Sequence, residues 1–195
     1  MKRIANWFDR FGTKECSRKI IFFFVVSVCL IENPWFGQAH LKELTGGVGM
    51  LDMNFANTVT QTNNYLTMLG QQGRDVYLLL LGLDFLIIAS FGLLQISFML
   101  RLLKGLQLDY PLKWCVMFPL ARGLFDVIET VSMIANVISF PGQISATLYL
   151  AVCATPLKWI SLWMTLAALL AFMLANAASK IRARICSNEP QLTVL

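Results

Sequence analysis

The sequence predicts an all-α fold, a transmembrane four-helix bundle with a long non-cytoplasmic loop between its first and second spans. The first reason is composition: 57% of the 195 residues are hydrophobic and 14% are charged, against about a quarter charged in soluble domains. The second is that the apolar residues form long runs separated by polar connections, as helices in lipid require. The third is that Lys and Arg residues gather beside these runs on alternate connections.

The N-terminal segment, 1–19, is basic and amphipathic. It holds six Lys and Arg residues, and its apolar residues follow helical spacing: Ile4, Trp7, Phe8 and Phe11. This pattern predicts an interfacial helix that lies on an anionic leaflet. A disordered basic tail is the alternative.

The first span is predicted at 20–36. The apolar run 20–31 is short, since about twenty apolar residues are needed to cross a bilayer, but Trp35 and Phe36 extend it. A cleaved signal peptide is the alternative, because Gly-Gln-Ala at 37–39 resembles a small-x-small cleavage site. The long basic region before the run and the bulky residues beside the site favour a retained span.

The connection 37–76 is polar and rich in Gly, Asn, Thr and Gln. Gly-Gly-Val-Gly at 46–49 predicts a turn, because a nucleotide-binding loop would follow a strand and end in Lys-Ser or Lys-Thr. Residues 58–69 predict a short helix with Gly70 as its C-cap. None of the five cysteines lies in this loop, so no internal disulfide closes it. A loop of this length is often functional.

Three further spans are predicted at 77–100, 113–138 and 146–178, followed by a basic tail, 179–195. Only a short Pro-Gly connection separates the third span from the fourth, which predicts an antiparallel hairpin. The fourth span is longer than a bilayer requires and contains Pro156. We therefore expect it to tilt, to kink, or to begin with an interfacial turn.

The distribution of Lys and Arg residues predicts the orientation of the bundle. Twelve lie in the N-terminal segment, in the connection between the second and third spans, and in the tail, whereas the long loop holds only Lys42 and Arg74. Cytoplasmic connections carry the excess of Lys and Arg in membrane proteins. Both termini are therefore predicted on the cytoplasmic or equivalent side, and the long loop on the opposite side.

Several kinds of site do not fit this composition. His40 is the single histidine, and no CxxC spacing occurs among the cysteines, which are Cys16, Cys29, Cys115, Cys153 and Cys186. A Cys/His zinc site and a dithiol redox centre are therefore not predicted, nor is any other metal or cofactor. The net charge is +5, but the basic residues flank the spans and line no periodic polar face. This favours membrane lipids, and not nucleic acid, as partners.

Five ionisable residues lie inside predicted spans, and we call them the charged layer: Asp84, Arg122, Asp126, Glu129 and Lys158. Each costs about 2.5–3.5 kcal/mol at the centre of a membrane helix, so they must meet one another or water. Arg122, Asp126 and Glu129 are spaced i, i+4, i+7 and share one helix stripe. At about 1.5 Å of rise per residue, all but Arg122 fall within about a turn and a half of one another, and Arg122 lies about a turn deeper.

The charged layer has two interpretations. It is either a salt-bridge network that fixes helix register, or a site that binds a charged or polar ligand or relays protons in a cavity facing the long loop. Its three acids and two bases leave one negative charge over. In a dry interior that charge would be neutralised by a retained proton or by a cationic ligand.

A second pattern is a ladder of small residues in the fourth span: Ala167, Ala171, Ala175 and Ser179. Small residues at this spacing let another helix approach closely. The approaching helix would belong either to the same bundle or to a partner in a homo-oligomer or larger complex.

Four groups of residues between 49 and 160 form short motifs: Gly49-Met50-Leu51-Asp52-Met53; Leu69-Gly70, Gly73-Arg74 and Tyr77-Leu78 before Asp84; Phe125-Asp126 with Glu129; and Lys158-Trp159. Together they resemble a family of small four-span membrane proteins without an assigned activity. That family, by this resemblance, has an acidic residue after Gly-Arg-x-x-Tyr-Leu and Phe-Asp-x-x-Glu in the third span. The resemblance implies the four-span topology and the charged layer, and it implies no chemistry.

Three functions fit these observations. The first is a non-enzymatic multi-pass protein whose charged layer binds or carries a small polar molecule or a lipid. The second is a membrane-embedded enzyme with Asp84, Asp126 or Glu129 as acid or base, although no activated Ser, Cys or His arrangement and no metal set accompanies them. The third is a structural subunit of a membrane complex. A water-accessible cavity at Asp84 would favour the first two, and a dry, fully paired layer the third.

Overall fold

The structure is a computed structural model that describes residues 14–106, 114–142 and 145–187. In these ranges it contains six α-helices and no strand, which confirms the all-α prediction. The helices are α1, Lys14–Ile31; α2, Gln38–Leu44; α3, Val59–Met68; α4, Gly70–Gly105; α5, Met117–Ser139; and α6, Ser145–Ser187. A 3-10 turn, Leu51–Met53, lies between α2 and α3.

Two of the helices are long and apolar enough to cross a membrane, by length and composition: Gly70–Gly105 and Ser145–Arg182. The other two predicted spans correspond to α1 and α5. The described part of the first, 14–31, has 18 residues, or about 27 Å, and four charged residues lie between 14 and 19. The second has 23 residues and carries three members of the charged layer, which lower its hydropathy.

The N-terminal boundaries differ from those predicted. Residues 14–19 are helical and continuous with the first span in α1, whereas 1–13 of the predicted amphipathic segment lie outside the described residues. The predicted first span, 20–36, ends as a helix at Ile31. The reason is Pro34, which restricts the backbone of the residue before it and cannot donate a helical hydrogen bond. Of the predicted tail, residues 179–187 continue α6, and 188–195 are not described.

The long loop is more structured than predicted. The predicted short helix is α3, and it begins with a capping box between Thr58 and Gln61. It ends at Met68, and its C-cap is Leu69 and not the predicted Gly70, whose φ of 61° lets the chain turn directly into α4. Residues 70–76 therefore belong to α4 and not to the loop. The helix α2 and the 3-10 turn were not predicted, because both are short and lack a long apolar repeat.

The helices form a bundle in which α5 packs mainly on α6, and α1 packs on α4. Among the residues that the structure describes, its apolar core contains two clusters. The loop-side cluster comprises Ile31, Leu41, Met50, Leu51, Tyr65, Leu66, Leu69, Tyr77, Leu80, Leu81, Met133, Val137 and Ala151. The far cluster comprises Ile96, Met99, Leu103, Val116 and Phe172. Along α4, α5 and α6, every residue of the charged layer lies between these two clusters.

Candidate functional site

The members of the charged layer face the interior of the bundle. Arg122, Asp126 and Glu129 are buried on one stripe of α5, as their spacing requires. Lys158 on α6 is 5% exposed, and Asp84 on α4 is 6% exposed. Charged side chains are rarely buried to this extent unless they are paired.

Lys158 is the centre of an ion-pair network between α5 and α6. Its Nζ lies 2.6 Å from Glu129 Oε2 and 3.2 Å from Asp126 Oδ1. Arg122 Nη2 lies 2.5 Å from Asp126 Oδ2, so the carboxylate of Asp126 is held between two cations. Glu129 also accepts a hydrogen bond of 2.5 Å from Thr155 Oγ1. The structure thus brings four of the five predicted residues into direct contact.

Asp84 lies apart from this network. Its Oδ2 accepts a hydrogen bond of 2.9 Å from Thr130 Oγ1, and within the described ranges it makes no ion pair. Thr130 follows Glu129 on α5, so Asp84 stays at the depth that the sequence predicted. A neutral hydroxyl compensates its charge only in part.

Asp52 borders the charged layer, although it is not one of the five residues predicted for the site. Lys158 Nζ donates a hydrogen bond of 3.2 Å to the Asp52 backbone carbonyl and lies 3.9 Å from Asp52 Oδ2. On the next residue, Trp159 Nε1 donates to the Asn54 carbonyl at 3.0 Å. Two consecutive residues of α6 therefore hold the segment 51–57, which contains the 3-10 turn, over the charged layer.

One signal in the sequence pointed to Asp52. It lies in the first motif, and Lys158-Trp159 is the last motif of the same resemblance. Their contact spans 106 residues of sequence and involves a 3-10 turn, so neither helical spacing nor depth along a span predicts it.

Two titratable groups on the loop side have shifted pKa values. Burial raises the pKa of the Asp52 carboxyl, and the charge of Lys158 opposes this shift. Burial also raises the pKa of the Tyr65 hydroxyl, which donates a hydrogen bond of 2.9 Å to the Gly49 carbonyl. Tyr65 therefore acts as a neutral donor that ties α3 to the turn at 46–49.

Unpaired polar atoms lie between the ion-pair network and the far cluster. The guanidinium of Arg122 stacks on Phe91, with Cζ 4.7 Å from the ring centre, and its Nε and Nη1 are buried without a hydrogen-bond partner among the described residues. Both amide atoms of Gln95, one turn from Phe91 on α4, are likewise buried and unpaired in that part of the chain. Each such group costs about 1–3 kcal/mol. In this half of the layer, therefore, the hydrogen-bonding groups are not all paired, as they would be in a purely structural salt-bridge network.

No family model matches the chain, and no curated protein or solved structure shows significant similarity to it.

The chemistry of the charged layer is therefore the main guide to function. Asp52 joins three acids and two bases, which makes four carboxyl groups against two cations. No group of three His, Cys, Asp or Glu residues among those described is arranged to hold a metal ion. The arrangement can hold a polar or cationic ligand, or it can pass protons between neighbouring carboxylates.

Proposed function

We propose that this chain is a multi-pass membrane protein with four spans, α1, α4, α5 and α6, whose charged layer binds and carries a small polar molecule or a lipid headgroup. The single observation that carries this proposal is the inverted distribution of side chains. Buried charges lie at the centre of the bundle, at depths where the outward surface is apolar.

The outward faces of α5 and α6 illustrate this inversion. Leu124 is 59% exposed and Val131 51% exposed on α5, although Asp126 and Glu129 between them are buried. On α6, Trp163 is 59% exposed, although Lys158, about one and a half turns earlier, is buried. In water this arrangement would lose hydrophobic burial, whereas in a bilayer the outward residues contact lipid and the charges avoid it.

The orientation proposed for the bundle follows the distribution of Lys and Arg. The twelve residues beside the termini and the middle connection favour the cytoplasmic side for both ends of the chain, and the long loop then lies opposite. The four-motif resemblance supports the same topology.

Three features of the charged layer favour ligand binding over a salt-bridge network that only fixes helix register. Its charges do not balance, several of its buried polar atoms lack partners among the described residues, and a small cavity opens beside Glu129. The loop-side and far clusters close the layer on both sides. Segment 51–57 is held by two hydrogen bonds to α6 and by the packing of Leu51 in the loop-side cluster, and we expect access from the loop side.

A labelling experiment tests the topology. In a variant whose native cysteines are replaced by serine, Asn64→Cys on α3 and Ile181→Cys near the end of α6 place thiols on exposed positions. A membrane-impermeant maleimide should modify them from opposite faces of sealed vesicles. Modification of both from the same face would rule out the four-span topology. Mass measurement of the mature chain checks that residues 1–39 are retained.

A second labelling experiment separates a site from a dry clamp. Ala151 and Ala154 are both 3% exposed on α6, but only Ala151 lines the cavity. In the same background, Ala151→Cys should react with a small methanethiosulfonate reagent at least ten times faster than Ala154→Cys. Equal, slow reaction of both would show that the charged layer is a structural clamp.

A structural subunit of a larger complex is the second candidate, and one observation favours it. All four residues of the small-residue ladder, from Ala167 to Ser179, are exposed on α6. The ladder is thus not used for packing within the described bundle. In a membrane it would be open to a helix of a second molecule.

A further inference from the structure

A small cavity lies between the 3-10 turn, α3, α5 and α6. Its volume is about 10 Å³, enough for about one water molecule. Five of its lining residues carry side-chain oxygen atoms: Asp52, Asn57, Thr62, Glu129 and Thr155. They come from four different segments, so the cavity exists only when the loop is docked on the bundle.

The carboxylate of Asp52 is the least compensated charge at this cavity. Its Oδ1 is buried and has no hydrogen-bond partner among the described residues, and its side chain is 12% exposed. Its Oδ2 lies 3.9 Å from Lys158 Nζ, which is long for an ion pair. By contrast, Lys158 Nζ lies 2.6 Å from Glu129 Oε2, so its closer ion pair is with Glu129.

The charged groups around the cavity determine whether it favours a cation or an anion. If all were ionised, Asp52, Asp84, Asp126 and Glu129 would exceed Arg122 and Lys158 by two negative charges. Buried charges that lack a partner are costly, so a bound cation stabilises this arrangement and an anion adds to its imbalance.

We propose that the cavity is a binding site for a monovalent inorganic cation, for which sodium is the probe. Oxygen atoms of carboxylate, hydroxyl and amide groups are the ligands of hard cations, and transporters place such ions near interrupted helices inside the bundle. Calcium takes 6–8 oxygen ligands, whereas only two carboxylates line this cavity, and an organic ammonium ion exceeds its volume.

This inference rests on the proposed function and adds an inorganic cation, bound beside the polar molecule or lipid headgroup that the charged layer takes. The segment 51–57 contributes Asp52 and Asn57 to the cavity, so cation binding and docking of the loop are linked. A cation bound there holds the loop closed, because it contacts the loop and the helices at once.

Thermal unfolding of the purified full chain in detergent tests this site. At constant ionic strength, replacing choline chloride by sodium chloride should raise Tm along a saturating curve, because a ligand that binds only the folded state stabilises it. Asp52→Asn should abolish the dependence on sodium. The matched control, Asp75→Asn, changes an exposed aspartate near the start of α4 and should keep it. A Tm that is the same in both salts would overturn the proposal, as would equal losses in the two variants.

A second set of measurements keeps the proposal testable if Asp52→Asn fails to fold. Thr62→Val keeps the shape of a buried residue and removes one oxygen from the cavity, so the sodium concentration at half effect should rise several-fold. Sodium should also slow the modification of Ala151→Cys, whereas choline should not. If the reagent reaches Ala151→Cys equally fast with and without sodium, the cation site is refuted and the proposed function remains. If the reagent modifies neither Ala151→Cys nor Ala154→Cys, both the cation site and the proposed function are refuted.

Discussion

At the scale of single residues, Lys158 has the largest predicted effect on stability. Its ammonium group contacts Glu129, Asp126 and the loop carbonyl of Asp52, so its removal leaves several acceptors unpaired. Burial of a charge without its partner costs about 3–5 kcal/mol, whereas replacing a whole buried pair by apolar residues can be nearly neutral.

Lys158→Met alone should therefore lower the free energy of unfolding by about 3–5 kcal/mol. Lys158→Met with Glu129→Met should recover much of this loss, because Arg122 still compensates Asp126. Lys158→Met with Asp126→Leu should recover less, since it leaves both Arg122 and Glu129 unpaired. Unfolding of single and double variants in detergent gives the coupling energies. Additive effects in both pairs would contradict the network.

Because of Asp52, we expect the free energy of unfolding to depend on pH. Because burial raises its pKa above the ordinary value of 3.8, the folded state keeps its proton to a higher pH than the unfolded state does. Stability should therefore fall as pH rises from 3.8 through the raised pKa. In sodium-free buffer, Asp52→Asn should flatten this part of the curve, and Asp75→Asn should leave it unchanged. An Asp52→Asn curve parallel to that of the wild type would contradict this assignment.

At the scale of elements, the segment 51–57 is a cover held by two neighbouring side chains of α6. Lys158 binds the carbonyl of Asp52, and Trp159 binds that of Asn54. Asn57 closes the turn internally, donating to the Leu51 carbonyl at 3.0 Å. The cover therefore depends on few bonds to the bundle, and removing one should open it measurably.

Trp159→Phe removes the hydrogen bond to Asn54 and keeps an aromatic ring. A hydrogen bond of this kind contributes about 0.5–1.5 kcal/mol, so the reaction of Ala151→Cys with the methanethiosulfonate reagent should accelerate about two- to tenfold. Trp163→Phe, an equal change at an exposed position one turn away, should have no effect. Equal rates in the two variants would show that Trp159 does not hold the cover.

The elements also show which parts of the site a sequence can predict. The stripe of Arg122, Asp126 and Glu129 follows from local helical spacing, and the depth of Lys158 follows from helical rise. Asp52 could not be placed, because its position depends on a 3-10 turn far away in sequence. The start of α4 at Gly70 was missed because a polar sequence with two glycines begins this helix, and apolar runs do not mark such a start.

At the scale of the whole molecule, the exposed ladder on α6 predicts self-association. Ala171→Leu places a large side chain at the centre of the ladder and should weaken association of the protein in bilayers at least tenfold. Leu170→Met changes an exposed neighbour on another stripe and serves as the control. Energy transfer between labelled copies at varying protein-to-lipid ratios measures the equilibrium. A monomeric wild type, or no effect of Ala171→Leu, would exclude the ladder as an interface.

One further consequence follows from Pro156, which lies inside α6. Proline cannot donate a backbone hydrogen bond, so the carbonyl four residues earlier, that of Val152, has no helical partner. Val152 lines the cavity, and Lys158 and Trp159 follow within one turn. The helix therefore lacks one backbone hydrogen bond at the height of the cavity and of the segment 51–57. The stretch from Pro156 to the end of α6 is about 45 Å long, so a bend of about 10° at the proline would displace that end by about 8 Å. A bend that depended on whether the cavity is occupied would therefore move the end of α6 on the opposite side of the bundle.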